Sequence, residues 1–254
     1  MSILSTVNRA GNILTPYGNT ADSGNEVRWS ANNGVLAPYN QYLTAGWKFS
    51  NGSLLVDSVG SNTLTNNNAV GSVAGGKSGY GAEFNGTDTY LSTSTNSALL
   101  PAVSLALSFW FEPDGATDEQ YFFRCTAGNY LVEYYSTNSF AAALWQSDNA
   151  QKTLSTTQVF SAGQYYHVMM IANGSKLRAY VNSSEIGTEV EYNGSISQDS
   201  GTASIGANHD GGSPVDGVLD EVMLWSDILF ADDAAEVAFV VALYNSTNGA
   251  FYEV

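Results

Sequence analysis

The chain has 254 residues, 13% of them charged, with 8 Lys+Arg against 24 Asp+Glu and a formal net charge of −16. Globular domains average about 25% charged residues, so this surface is mostly neutral polar. Its acidic field excludes nucleic acid and anionic membrane as expected partners. A single cysteine, Cys125, rules out an internal disulfide, and no apolar run nears the ~20 residues that span a bilayer.

Residues 1–41 carry Asn8, Asn12, Asn19, Asn25, Asn32, Asn33, Asn40, Pro16 and Pro38 with little apolar periodicity. That composition predicts an extended N-terminal arm, either disordered or ordered against a neighbouring subunit. The opening stretch lacks a basic segment followed by an apolar one, so no secretory leader is expected. The Asn-x-Ser/Thr triplets at Asn51, Asn85, Asn173, Asn182, Asn193 and Asn245 then read as turn chemistry and not as glycosylation.

Residues 42–254 read as one all-β domain. Ala45–Phe49 alternates as a strand and turns at Asn51-Gly52; Asp57–Asn68 reads as a structured loop. Tyr80–Leu91 reads as a hairpin about Asn85-Gly86, with Phe84 and Tyr90 inward. In Val103–Glu112 the apolar Val103, Leu105, Leu107, Phe109 and Phe111 alternate with Ser104, Ala106, Ser108, Trp110 and Glu112, and Pro113 ends the strand. Tyr121–Phe123, Tyr130–Tyr135 and Phe140–Trp145 read as three strands, and Tyr165–Ile171 with Leu177–Val181 as a hairpin about Asn173-Gly174. Thr202–Ile205 and Val218–Trp225 are two further strands, and Asp233-Ala-Ala-Glu236 fits a capping box opening a short C-terminal helix.

Five segments in order, GWKFSNGSLLVDSVG (46–60), YGAEFNGTDTYLS (80–92), VSLALSFWFEP (103–113), GQYYHVMMIANGSKLRAYVNSSEIG (163–187) and SIGAN…VDGVLDEVMLWSDIL (204–229), resemble the laminin-G-like and pentraxin-like branch of the concanavalin A-like jelly rolls. The resemblance implies a jelly-roll sandwich of two antiparallel sheets, which agrees with the strand pattern. It also implies calcium, held between Asp57 and Asp220; here the family's polar loop has become DSVGSNTLTNNN, apolar at Val59. The alternative is that Asp57 caps a turn and Asp220 bonds backbone amides.

Hydrolases of this fold set carboxylates at alternate positions of one strand as Glu-x-Asp-x-x-Glu. The nearest approach is Glu112-Pro-Asp114, whose third position is Thr117 and whose strand is broken by Pro113 and Gly115. No enzymatic activity is therefore expected, with a glycoside hydrolase as the lesser alternative. His167 and His209 read as structural or solvent-facing, and Cys125 as a buried, inert thiol. For a glycan, the candidates are Trp145 with Asp148 and Asn149, then Tyr134, Tyr135 and Asn138, with Asn208-His209-Asp210 joining them. Trp47, Trp110 and Trp225 read as core packing.

These features lead to the expectation of a virion structural protein, a phage capsid decoration or fibre component made in the host cytoplasm, with a lectin-like domain facing cell-surface glycans. Its arm would bind other virion proteins or copies of itself in a homo-oligomer. The alternative is an extracellular, calcium-dependent carbohydrate-binding lectin.

Overall fold

The computed structural model describes residues 34–50, 53–115, 119–126, 128–135, 138–245 and 249, and the backbone of β1 (Thr6–Val7), β2 (Ile13–Leu14), β3 (Val27–Trp29) and β19 (Ala250–Tyr252). The sandwich strands follow in chain order: β4 (Leu43–Trp47), β5 (Thr65–Asn67), β6 (Gly71–Gly76), β7 (Gly79–Asn85), β8 (Tyr90–Ser94), β9 (Leu105–Pro113), β10 (Gln120–Cys125) and β11 (Tyr130–Tyr135). Then come β12 (Ser139–Trp145), β13 (Gln151–Thr157), β14 (Tyr166–Ala172), β15 (Lys176–Val181), β16 (Ser184–Glu191), β17 (Thr202–Ile205), β18 (Asp216–Ser226) and the helix α1 (Asp233–Tyr244).

One sheet runs β13-β12-β11-β10-β17-β8-β5; the other runs β16-β15-β14-β9-β18-β7-β6, with β4 also on β18. Every pairing within these two sheets is antiparallel. The expected jelly-roll sandwich is therefore the observed fold. Between the sheets lies a core built on Trp47, Phe84, Phe109, Phe111, Phe123, Tyr130 and Phe140.

The sheet of β9, β14 and β18 is covered on its other face too. Ala106, Met169, Ile171, Met223 and Trp225 pack there against Phe239, Val240 and Leu243 of α1 and against Leu36 and Tyr39. The strand centred on Phe109 is thus buried on both faces, with Ser108 4% and Trp110 3% exposed. Gly34–Tyr42 is a 3₁₀ helix, so this last part of the expected extended arm packs on its own domain; most of residues 1–33 lie outside the described residues.

Several sequence expectations change. Tyr80–Leu91 is not a hairpin: β7 pairs with β6 and β18, whereas β8 pairs with β5 and β17, so the Asn85-Gly86 connection crosses between sheets. Phe84 points into the core as expected, but Leu91, not Tyr90, is its inward partner. The helix cap is Asp232, whose carboxylate accepts from the Ala235 N–H at 2.8 Å. Glu236 is consequently not a capping residue. It is fully buried, pairs with Arg178 at 3.1 Å, and accepts from the Tyr180 hydroxyl and the Asn173 amide, both at 2.8 Å.

Candidate functional site

Strand ends converge at the β6–β7 side of the sandwich. There Asn68 and Ala69 in the β5–β6 turn, Gly71, the β7 end (Glu83, Phe84, Asn85), Thr89, Asp114 and Asp216 line a cleft of about 250 Å³. The turn into β6 is left-handed at both Asn68 (φ 59) and Ala69 (φ 65), and Asn66 holds it by accepting from the Val70 N–H at 2.7 Å. Asn85 organises the next loop: its Oδ1 accepts from the amides of Thr87, Asp88 and Thr89 and from the Thr89 hydroxyl. Gly86 lies at φ 66, where a side chain would press on Asp216, and its N–H reaches the Val215 carbonyl at 2.8 Å.

The cleft is acidic. Asp114 and Asp216 are fastened together through the backbone, the Asp114 N–H donating to the Asp216 carbonyl at 3.2 Å. Burial and then the neighbouring Asp114 carboxylate raise the Asp216 pKa above the ordinary aspartate value. With Glu83 the lining adds a third carboxylate. The Asn68 and Asn85 amides each donate one N–H to Asp88, at 2.9 and 3.0 Å, and the Thr89 hydroxyl donates to Asn85. The carboxylates and the second amide N–H groups are what remains to meet sugar hydroxyls. Glu112 is not among the lining residues; it lies beside Tyr165, so the Glu112–Asp114 pair is not brought together in this cleft.

The loop candidates fall at two ends of the other sheet. Registers Leu144–Tyr130, Tyr130–Cys125 and Cys125–Ala203 put Trp145, Asp148 and Asn149 at the end where β17 begins. Asn208 and Asp210 leave from the far end of β17, where Ile205 pairs with Phe123 and Leu91. Three strand spacings of roughly 4.8 Å across and about 10 Å along the strands separate the groups, so they do not form one surface. The Asn208 loop instead sits at the cleft end: Gly211 lies against the Tyr90 ring, and Thr89, one residue earlier, lines the cleft.

Locally these side chains brace their own turns. Asp148 accepts from the Ala150 N–H at 3.0 Å and from Gln146, bonds that lower its pKa. Asn149 is left-handed at φ 65. Asn208 accepts from the His209 N–H at 2.8 Å, and Asp210 accepts from the Gly212 N–H at 3.1 Å, which lowers its pKa. Tyr134 is not a platform: it is 5% exposed, belongs to the core and packs on Phe160, its hydroxyl donating to Asn138 at 2.9 Å. The side chain of Tyr135 lies outside the described residues.

Asp57 is saturated by donors. Oδ1 accepts from the amides of Gly46, Val59 and Gly60, each at 2.9 Å, and Oδ2 from the Asn62 N–H at 3.0 Å and its side-chain amide at 2.6 Å. Burial pushes its pKa up, but the four backbone bonds outweigh burial and hold it below the ordinary value. Asp220 is fully buried and accepts from the amides of Ser78 and Glu221, each at 2.8 Å. A cation at Asp57 would have to displace the five donors that fill its two oxygens, so the Asp57 donor set does not fit calcium. Among the described residues no group of three or more His, Cys, Asp or Glu side chains converges as a metal site.

His167 is 2% exposed, bonds Ser108 at 3.1 Å and lies against Trp110; burial, then Lys77, lowers its pKa to about 3. Cys125 is fully buried, and burial pushes its thiol up to about 11. The cleft residues Asp216 and Glu83 escaped sequence reasoning because they come from β18 and β7, far apart in the chain. The run of three asparagines at Asn66–Asn68, beside Asn85-Gly86 and Asp114, was the local signal for this end of the fold.

The architecture is that of a lectin-like jelly roll. The family model described as the concanavalin A-like lectin/glucanases superfamily matches residues 85–235, more than half of the chain, and the chain belongs to that family. Among solved structures, domain 4 of the extracellular arabinanase AbnA from Geobacillus stearothermophilus, in complex with arabinotriose, is similar at TM-score 0.54 and 20% identity, covering 77% of this chain and 98% of that one. The botulinum neurotoxin serotype D ligand-binding domain in complex with N-acetylneuraminic acid is similar at TM-score 0.61 and 12% identity, covering 84% of this chain and 52% of that one. The serotype G binding domain is similar at TM-score 0.63 and 11% identity, covering 81% and 51%. The chain thus spans about half the length of the neurotoxin domains it matches. No curated protein sequence matches it.

Proposed function

We propose that the domain is a non-enzymatic, lectin-like module that holds a saccharide unit in the cleft between Asp114, Asp216, Glu83 and Asn85. The observation that carries this reading is the cleft's chemistry: carboxylate acceptors and amide N–H groups facing about 250 Å³. That volume lies below the ~300–1,000 Å³ of a drug-sized site and suits one or two sugar rings. The bound saccharides named for the arabinanase domain and the serotype D domain support the class of ligand. A glycan array followed by calorimetry tests it. Saturable binding that Asp216→Asn weakens at least about tenfold, with melting temperature held, is expected, because a carboxylate bond to a hydroxyl contributes roughly 1.5–3 kcal/mol. Trp145→Ala should leave that binding unchanged. Loss with Trp145→Ala and none with Asp216→Asn would move the site to the Trp145–Asp148–Asn149 end.

A second reading, glycoside hydrolysis, is favoured by the proximity of Asp114 and Asp216, since the raised pKa of Asp216 suits a general acid. Turnover of an oligosaccharide abolished by Asp216→Asn would establish it.

The wider role we propose is display on a particle, as a virion decoration or fibre component whose N-terminal segment contacts a neighbouring copy. Support comes from the low charge density and acidic balance of the sequence. Val27–Trp29 itself pairs in parallel with Ala250–Tyr252 of the same chain, so a contact with a neighbour would fall to the rest of the segment. Chemical crosslinks from residues 1–33 to a second subunit in purified assemblies are expected; a monomer by light scattering counts against the role.

A further inference from the structure

We propose that Asn193 is a site of spontaneous deamidation, converting ahead of the Asn-Gly pairs at Asn85 and Asn173. In this reaction the backbone nitrogen of the following glycine attacks the asparagine Cγ and gives up its proton to solvent base. The Cγ–Nδ2 bond breaks, ammonia leaves with a proton, and a five-membered imide forms. Water then opens either carbonyl of the imide, leaving an aspartyl or isoaspartyl residue.

The chemistry needs a free nucleophile and a free leaving group. Asn85 and Asn173 supply neither. The Gly86 N–H donates to the Val215 carbonyl at 2.8 Å, and the Asn85 amide donates to Asp88 at 3.0 Å. The Gly174 N–H donates to the Tyr192 hydroxyl at 2.6 Å, and the Asn173 amide donates to the buried Glu236 at 2.8 Å. At Asn193, the third Asn-Gly pair whose two residues are both described, the Gly194 N–H and the Asn193 amide NH₂ donate to nothing among the described residues, and Asn193 is exposed. Its Oδ1 accepts from the Ser195 N–H at 3.1 Å and the Ser195 hydroxyl at 2.6 Å. Those two donors polarise the carbonyl under attack and stabilise the negative charge that develops on its oxygen.

Position 193 is tied to the turn carrying Asp148 and Asn149. The Asn193 N–H donates to Gln146 at 3.0 Å, and the hydroxyls of Ser147 and Ser195 lie 2.9 Å apart. Conversion adds a carboxylate beside Asp148 in a chain already at −16, so it loosens that turn and alters any contact made there.

The test is incubation of the full chain in mildly alkaline buffer, with peptide mapping by mass spectrometry for the gain of about 1 Da and for isoaspartate. Position 193 is expected to convert about tenfold faster than 85 and 173, the factor that one hydrogen bond on the nucleophile is worth. Ser195→Ala should slow it several-fold while leaving the other two sites and the melting temperature unchanged. Equal rates at the three sites, faster conversion at 85 or 173, or an undiminished rate in the Ser195→Ala protein each overturns the proposal.

Discussion

Replacing Glu236 by alanine isolates what holds α1 on the sheet. The carboxylate is fully buried and Arg178 is 4% exposed, so the pair is largely hidden from water. Arg178 keeps three other partners, Asp233 at 3.0 Å, Glu189 at 2.8 Å and Glu185 at 3.9 Å, which moderates the loss. The Tyr180 hydroxyl and the Asn173 amide each lose their acceptor. Removing one partner of a buried pair costs about 3–5 kcal/mol, and an orphaned buried donor roughly 1–3. With the remaining Arg178 contacts, the expected destabilisation is about 3–4 kcal/mol, or on the order of 10 °C in melting temperature for a domain of this size. Urea unfolding followed by tryptophan fluorescence measures it, because Trp225 packs edge-on against Phe239 of α1. Glu189→Ala is the control: that side chain is 36% exposed, and a screened pair contributes roughly 0–1 kcal/mol. Equal effects for the two substitutions would refute the argument that burial sets the strength of this network.

Three further outcomes are expected. His167 is held neutral with a pKa near 3 against a reference of 6.5, so between those values the unfolded chain binds the extra proton. Stability is full above pH 6.5 and falls towards pH 3 by up to about 1.4 kcal/mol per unit; His167→Phe should remove one proton from that slope in pH-dependent urea titrations. Asp57→Asn places an amide donor against the amides that now converge on the carboxylate and should cost about 2–3 kcal/mol, whereas added calcium or chelator should leave the parent melting temperature unmoved; a rise of several degrees with calcium would contradict the donor assignment. Gly206→Ala should destabilise by more than about 2 kcal/mol in the same unfolding assay, since φ is +83 and the new methyl meets the Phe84 ring.

Much of the sandwich was legible because its turns are written in Asn-Gly pairs and its inward residues alternate, as at Leu105, Leu107, Phe109 and Phe111. What failed was pairing. Nothing local separates a hairpin at Asn85-Gly86 from a crossing between sheets, because one partner of each strand, β18 for β7 and β17 for β8, lies more than a hundred residues away. The second core had a signal that alternation hides: Val168 to Ile171 is apolar without a break, which marks a strand buried on both faces. The helix start slipped by one residue because adjacent aspartates, Asp232 and Asp233, both satisfy the capping preference, and tertiary contact with Arg178 decides between them. The cleft was not legible, since its carboxylates share an end of the fold and no stretch of sequence.

β18 lies at the centre of its sheet, bonded to β9 and β7 and also holding β4. During synthesis, strands made early must therefore wait with open edges until residues 216–226 emerge. Only then can β4, β7 and β9 be joined, so this domain closes late and nearly all at once. Such long-range closure is slow and leaves strand edges exposed meanwhile. A chain truncated before Asp216 would present unfinished edges to its neighbours, with like-charge repulsion from an acidic sequence opposing their association.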